Sequence, residues 1–223
     1  MPLRLLCAGL AFVLALAGPA AAEIRGTARV YDGDTLEIGL VRIRLHGIDA
    51  PELGQRCGDD AGAEWRCGKA AADRLATLAR GAETVCHARE RDHFGRIVAT
   101  CRAGERDLAA TLVAEGLAWA YIRFSDDYAE VEAGARQAGR GIWQGPAVAA
   151  WDYRETAWTE ASGAAPREGC PIKGNINRKG ERIYHPPWSA YYERTRVNEA
   201  MGEAWFCDEE EAEAAGWRPA AGR

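Results

Sequence analysis

The stretch from Ile24 to Gly47 narrows the possible folds of this 223-residue chain more than any other feature. Its apolar residues alternate with polar ones, and turn residues such as Gly33 and Gly39 separate the alternating runs. Alternation with a period of two is typical of strands with one buried face, and such runs joined by short turns form antiparallel meanders. The stretch therefore predicts three short strands. Because no helical segment lies between them, a parallel doubly wound sheet is excluded.

The next hundred residues add helices and two more strands. An alanine-rich stripe over residues 69–80 predicts a helix, and two strands are expected on either side of a turn at residues 92–95. A second helix is predicted over residues 108–116, and Ser125 is predicted to cap a third. Five strands with interspersed helices fit a small closed barrel. The predicted fold is α+β: a five-stranded OB-type β-barrel with about three helices and a small C-terminal unit.

Residues 1–22 have the three parts of an export signal, namely the basic Arg4, an apolar run over residues 5–17, and small residues up to Ala22. We expect the mature chain to start at Glu23 and to be exported, either to the periplasm or out of the cell. The apolar run is shorter than the roughly 20 residues of a membrane-spanning helix. No later segment is long enough, so no membrane span is predicted.

Six cysteines follow the signal, and disulfides persist in the compartments that exported proteins reach. Cys86 and Cys101 flank the predicted turn at nearly equal distances, so we expect them to face each other across two strands. Pairing in sequence order gives the other two bonds. The predicted disulfides are Cys57–Cys67, Cys86–Cys101 and Cys170–Cys207. A zinc site is the alternative use, but the chain has no paired C-x-x-C motifs and its histidines are scattered.

Composition divides the chain into a barrel domain, a connection and a second unit. Residues 23–145 are assigned to the barrel, and the alanine-, glycine- and proline-containing residues 146–169 to a partly helical linker. Residues 170–223 form a unit too small for a sizeable core. We expect the Cys170–Cys207 bond and a group of aromatic residues to hold it together.

The charge balance favours catalysis over storage of nucleic acid. The chain has 28 Lys and Arg against 33 Asp and Glu, a formal net charge of −5. Proteins that hold duplexes by neutralising phosphates usually present a basic face. An enzyme that meets phosphate through a bound cation and a few arginines does not need that excess.

Two aspartates and one glutamate form a candidate hydrolytic centre. Asp34 lies in a turn and Asp49 ends an apolar strand, so the two carboxylates can converge if neighbouring strands of the barrel pair. Two carboxylates with the carbonyl of Ala50 make an oxygen-only site suited to calcium or magnesium. Pro51 fixes the next turn and directs Glu52, whose carboxylate could deprotonate the attacking water.

Two arginines could stabilise the charge that develops on a transferred phosphoryl group. Arg44 lies in an alternating strand, and Arg96 follows the predicted turn at residues 92–95. A planar guanidinium meets phosphate oxygens with two parallel hydrogen bonds, which lysine cannot do.

Five ordered motifs between Val30 and Trp143 resemble the staphylococcal nuclease (thermonuclease) family. They are Asp-Gly-Asp-Thr at 32–35, Arg-Leu-His-Gly-Ile-Asp-Ala-Pro-Glu at 44–52, Asp-x-x-Gly-Arg at 92–96, Leu-Val-x-x-Gly-Leu-Ala at 112–118 and Arg-Gly-Ile-Trp at 140–143. The resemblance implies a calcium-dependent endonuclease that cuts DNA and RNA with little sequence preference and leaves 3′-phosphate ends.

The resemblance also implies roles for particular residues. Asp34, Asp49 and the Ala50 carbonyl would bind Ca²⁺, Glu52 would be the general base, and Arg44 and Arg96 would stabilise the phosphate. Two residues are assigned to substrate binding. These are Tyr121, where the family uses a tyrosine near the nucleotide, and Phe94, where a tyrosine hydroxyl would reach phosphate. Phe94, His93 and Arg123 depart from the family pattern, which puts the nucleotide contacts in question.

Two other functions stay open from the sequence. A barrel that binds nucleic acid without cutting it would require losses among the five charged site residues, and all five are present. Alternatively, the C-terminal unit could dock to an envelope or cell-surface partner. The chain otherwise suggests no obligate protein partner, and we expect a monomer.

Overall fold

The computed structural model describes residues 22–92 and 95–220. The predicted export signal, apart from Ala22, lies outside these residues. The strands of the first two-thirds of the chain are β1 (Glu23–Gly26), β2 (Ala28–Val30), β3 (Thr35–Ile38), β4 (Val41–Leu45), β5 (Ile48–Asp49), β6 (Cys57–Gly58), β7 (Glu64–Trp65), β8 (Thr84–Arg91), β9 (Ile97–Ala103), β10 (Arg106–Asp107) and β11 (Trp119–Ala120). The helices there are α1 (Cys67–Ala79), α2 (Leu108–Ala114) and α3 (Ala129–Gln137), with a 3₁₀ turn at Gly141–Gln144.

A curled seven-stranded sheet forms the barrel, in the order β1-β8-β9-β4-β3-β2, with β10 beside β9. All its pairs are antiparallel except β4 with β9. Strands β2, β3 and β4 form the predicted meander, and β5 pairs with β11 in a separate two-stranded ladder. The α+β fold of OB type is confirmed.

Two details differ from the expectation. The sheet has seven strands instead of five, because the chain breaks around Gly26 (φ +152°) so that β1 leaves the meander and pairs with β8, and because the short β10 adds to β9. The prediction that Ser125 caps the third helix was wrong. Its Oγ accepts from the N–H of Asp127 at 3.2 Å in a local turn, and α3 begins only at Ala129, after Tyr128.

The core of the barrel lies between the inner face of the sheet and helices α1 and α2. Leu36, Ile43 and Leu45 from the meander are buried against Leu75 of α1 and Leu112 of α2. At the start of α2, the side chain of Asp107 accepts the N–H of Ala110 at 2.9 Å and satisfies an otherwise free helical donor.

The second unit follows a 15-residue helix, α4 (Ala150–Ala164). The unit contains β12 (Ile172–Ile176), β13 (Arg182–His185), β14 (Ala204–Phe206), α5 (Glu209–Ala214) and β15 (Arg218–Pro219), with 3₁₀ turns at Tyr192–Arg194 and Glu199–Met201. Its sheet has the order β14-β12-β13-β15. As expected, aromatic residues build its small core, which contains Ile172, Tyr184, Phe206 and Trp217.

The three disulfides pair the cysteines as the sequence predicted: Cys57 with Cys67, Cys86 with Cys101 and Cys170 with Cys207. Cys86 and Cys101 are directly opposite residues of β8 and β9. Across the described part of the chain, no helix has the length and apolarity to cross a membrane.

Candidate active site

Three short strands bring the predicted site residues to one place. Asp34 directly precedes β3, and the register of β3 with β4 places Thr35 opposite Arg44. Asp49 ends β5, where it is opposite Trp119 of β11. The two aspartates, 15 positions apart in sequence, thus approach the same arginine of β4.

The Arg44 guanidinium joins the two predicted metal-binding carboxylates. Its Nη1 lies 3.2 Å from Oδ1 and 3.1 Å from Oδ2 of Asp34. Its Nη2 donates to Oδ1 of Asp49 at 2.9 Å. The structure therefore brings Asp34, Asp49 and Arg44 together as predicted, but it uses Arg44 as the counter-ion of the carboxylates.

One backbone and one side-chain hydrogen bond fix the Asp34 carboxylate beside Ala50. The N–H of Ala50 donates to Oδ2 of Asp34 at 3.3 Å, and the Thr35 hydroxyl donates to Oδ1 at 3.0 Å. A Cβ added to Gly33 would lie 2.6 Å from the Cβ of Ala50. Glycine at this position is what lets the Asp34 loop approach the chain so closely.

Asp32 holds the turn that presents Asp34. Its Oδ1 accepts the N–H groups of Asp34 and Thr35 at 3.0 and 2.7 Å, as in an Asx turn. Burial, followed by the charge of Asp34, raises the pKa of Asp32 to about 7. The turn thus carries a carboxyl group whose negative charge is poorly compensated.

Arg154 belongs to this cluster of charged side chains, and the sequence analysis missed it. It lies in α4, in the stretch expected to be a linker, yet its Nη2 donates to Oδ2 of Asp49 at 2.7 Å. Its Nη1 donates to Oδ1 of Asp49 at 3.2 Å and to Oε1 of Glu52 at 2.8 Å. Glu52, the predicted general base, is thereby tied to the same cluster as Asp49.

A pattern in α4 could have revealed Arg154. Trp151, Arg154 and Trp158 are spaced at i, i+3 and i+7, so they share one helical face. Two tryptophans beside one arginine indicate a face that packs on something, whereas a solvated linker has no need of them. The Trp151 ring stacks on Tyr121 at 5.4 Å between centroids, with an interplanar angle of 11°.

Burial and the ion pairs set the titration of the cluster. Burial raises the pKa of Glu52 to about 8, against the opposing charge of Arg154. Burial would also raise the pKa of Asp34, but the charge of Arg44, with that of Arg96, outweighs it and lowers that pKa below its ordinary value. The paired carboxylates in turn raise the pKa of Arg44 and Arg154 against the effect of burial, so both guanidinium groups stay charged.

Arg96 lies on the same cleft as Arg44. Its Nε donates to Oδ2 of Asp92 at 2.7 Å and its N–H to Oδ1 of Asp92 at 2.9 Å. Its charge helps to lower the pKa of Asp34 and partly opposes the rise in the pKa of Asp32, so Arg96 acts electrostatically on the cluster. Phe94, predicted to bind substrate, lies outside the described residues.

The cleft has a volume of about 770 Å³ and is shared by both parts of the chain. Arg44, Glu52 and Tyr121 line it from the barrel side. Trp188 and Glu209 line it from the C-terminal unit. The predicted substrate residue Tyr121 therefore lies on the cleft. Trp151 stacks on one face of its ring, and the centroid of the Phe124 ring lies 4.8 Å from its own.

The donor chemistry fits a hard divalent cation, with one qualification. Asp34 and Asp49 offer carboxylate oxygens beside the Ala50 backbone, the oxygen-only set that Ca²⁺ prefers. Within residues 22–92 and 95–220, no three His, Cys, Asp or Glu side chains are grouped as a metal site. The Asp49 oxygens are instead held by Arg44 and Arg154.

Comparisons with known proteins agree with this geometry. The family model described as "Staphylococcal nuclease homologue" matches residues 42–145, and a second model, ArfC, matches residues 152–219. The boundary between the two matches falls just before Arg154.

Among curated proteins, the succinoglycan biosynthesis protein ExoI of Rhizobium meliloti (strain 1021) is 37% identical over 166 residues, which is 72% of this chain and 76% of that protein. The micrococcal nuclease of Shigella flexneri is 33% identical over 166 residues, 66% of this chain and 90% of that protein. An uncharacterized endonuclease of Haemophilus influenzae (strain ATCC 51907 / DSM 11121 / KW20 / Rd) is 26% identical and covers 52% of this chain and 63% of its own length. With a nuclease covered over nine-tenths of its length and the charged residues of the motifs assembled on one cleft, the chain belongs to the staphylococcal nuclease family.

Proposed function

We propose that this protein is an exported, calcium-dependent nuclease that hydrolyses phosphodiester bonds of DNA and RNA. The observation that carries the proposal is the meeting of Asp34, Asp49 and Glu52 with the guanidinium groups of Arg44 and Arg154 in one cleft. A storage protein has no need for buried carboxylates in a site for an anionic ligand, whereas a hydrolase does.

Asp34, Asp49 and the Ala50 carbonyl would hold the calcium ion. When bound there, the ion supplies positive charge beside the phosphate and offsets the charge that develops during attack. Oxygen donors of this type are those that calcium takes in proteins.

Glu52 is the proposed general base. Its carboxylate takes a proton from water as the water oxygen bonds to phosphorus, and the bond from phosphorus to the 5′-oxygen breaks. The 5′-oxygen takes a proton from solvent water and leaves as a hydroxyl, the phosphate stays on the 3′ side, and Glu52 afterwards gives its proton back to solvent. Arg44 and Arg96 donate to the non-bridging oxygens, where charge grows in the transition state.

Export and monomeric action complete the proposal. Three disulfides suit an oxidising compartment, in agreement with the signal read from residues 1–22. Every group of the proposed centre comes from one chain, so a single copy is sufficient for the chemistry. Endonucleolytic cutting and 3′-phosphate ends are proposed on the family resemblance.

Glu52→Gln is the direct test of the chemistry. Plasmid DNA and RNA are digested with calcium and with chelator, and the product ends are analysed for 3′-phosphate. General bases contribute about 10²- to 10⁴-fold, so the variant should lose activity by that factor with its fold intact by circular dichroism. The exposed Glu160 of α4 gives the matched control, Glu160→Gln, which should keep full activity.

Two results would contradict the proposal. Digestion by wild-type protein in chelator would remove calcium from the mechanism. Nucleic acid bound but uncut under every condition would favour the non-catalytic barrel.

A further inference from the structure

Arg154 lies outside residues 42–145, the part of the chain that matches the nuclease family model, yet it neutralises the centre of the proposed active site. It is carried by α4, the helix that leads into the C-terminal unit. Its guanidinium bridges Asp49 and Glu52, with three contacts of 2.7, 2.8 and 3.2 Å. This position makes Arg154 an internal cation in the site.

The Asp49 carboxylate has little capacity left for a second cation. Asp49 is fully buried, its Oδ1 accepts from Arg44 and Arg154, and its Oδ2 accepts from Arg154. A divalent ion on the same carboxylate would stand beside the Arg154 guanidinium, and two like charges at such a separation repel strongly where water is scarce. The ion and the guanidinium would also compete for the same oxygen lone pairs.

We propose that Arg154 and the divalent cation exclude each other at Asp49, so that cation binding displaces Arg154 from Asp49 and Glu52 and releases α4 from the cleft. The inference rests on the calcium site of the proposed function and adds to it a role for the C-terminal segment. Arg154 here is the counter-ion of the cation-free protein, and its departure frees Glu52 to act as a base.

The surroundings of α4 connect this exchange to access to the cleft. Trp151 of α4 covers one face of Tyr121, and Trp158 packs against Trp188 of the C-terminal unit at 6.2 Å between ring centroids. Releasing Arg154 removes the ion pairs that join α4 to the barrel side of the cleft. By thermodynamic linkage, if cation binding weakens the packing of α4 on the cleft, then the packing of α4 weakens cation binding by the same factor.

Calcium binding, measured by isothermal titration calorimetry on the full chain, tests the inference. Arg154→Met keeps the length and most of the bulk of the side chain without its charge. We expect it to bind calcium more tightly than wild type, within the 5- to 150-fold span typical of coupled sites. Arg154→Lys keeps the charge but not the bridge and should fall between the two. The control is Arg167→Ala, since Arg167 is exposed and pairs only loosely with Glu211 at 3.8 Å; its affinity should equal that of wild type.

A second measurement does not depend on the variants. Calcium added to wild-type protein should speed hydrogen exchange in α4 and change the tryptophan fluorescence, and Arg154→Met should show the faster exchange without calcium. This readout also covers the case in which one variant folds poorly.

The outcomes separate this inference from the proposed function. Equal or weaker calcium binding by Arg154→Met would overturn the inference and make Arg154 a residue that positions Asp49, while calcium-dependent cutting by wild type would leave the nuclease proposal standing. If neither wild type nor Arg154→Met binds calcium, both the calcium site and the inference fail.

Discussion

Gly68 connects the packing of helix α1 to the position of the proposed base. It lies in the first turn of α1 and is buried. A Cβ added there would lie 1.7 Å from the carbonyl oxygen and 2.5 Å from the carbonyl carbon of Glu52, and 3.1 Å from the Cα of Leu53. These are backbone atoms, so no side-chain rotation can relieve the overlap.

Two opposing effects decide the sign of Gly68→Ala. Replacing glycine by alanine inside a helix stabilises it by about 1 kcal/mol. Forcing an extra methyl group into a packed site costs about 1–3 kcal/mol, and an overlap with backbone at 1.7 Å belongs at the upper end. We expect a net destabilisation of about 2 kcal/mol, measured as a lower midpoint in urea. Because the atom displaced belongs to Glu52, kcat/KM should fall as well, by up to about 10²-fold for a shift of about 1 Å.

Gly163 provides the matched control. It also lies in a helix, α4, and a Cβ there would meet no atom within 4 Å. Gly163→Ala should therefore leave activity unchanged and should stabilise the protein slightly or not at all, as it lies near the helix end. If Gly68→Ala proved as stable and as active as Gly163→Ala, the contact between α1 and the Glu52 backbone would not exist in the protein.

Two further predictions concern the C-terminal unit. Burial, followed by the charges of Lys173 and Arg194, lowers the pKa of His185 to about 4, below the ordinary value of about 6.5 in the unfolded chain. The unfolded chain then binds the proton first, so stability is complete above about pH 6.5 and declines as the pH falls toward 4, by up to about 3 kcal/mol. The urea midpoint of the wild type should fall as the pH is lowered through this range, and that of His185→Gln should fall less. Equal pH dependence in the two proteins would contradict the role given to His185. Cys170→Ser combined with Cys207→Ser opens a bond that spans 37 positions, which in the chain-entropy model costs about 4 kcal/mol, and β12 to β15 should lose hydrogen-exchange protection before the barrel does. Equal loss of hydrogen-exchange protection in the barrel and in β12 to β15 would show that the two parts unfold together.

Local patterns were sufficient for much of the fold. The meander followed from alternation and turns, and the Cys86–Cys101 bond from its symmetric placement about a turn. Asp34 and Arg44 could be placed together because β3 and β4 are adjacent antiparallel strands, whereas Asp49 reaches them from β5, which pairs with β11 instead. In each case the partners lie within about 15 positions of one another, where strand register constrains the geometry.

Longer-range features could not be read in this way. Arg154 meets Asp49 across 105 positions, and neither local propensity nor strand pairing relates the two residues. The expected cap at Ser125 failed because its hydroxyl served a local turn instead, a competition that sequence alone does not resolve. The break between β1 and β2 could not be predicted because β1 pairs with β8, which lies some 60 positions further along the chain.

The burial of Asp49 gives helix α4 a structural role in the barrel. A carboxylate removed from water must have its charge met, since an unpaired buried charge is strongly destabilising. Arg44 alone is shared between Asp34 and Asp49, so in the absence of a divalent ion the remaining oxygen of Asp49 depends on Arg154. Because Asp49 needs a positive charge beside it, the proposed calcium ion and Arg154 would each meet that need, and the exchange proposed above would replace one with the other.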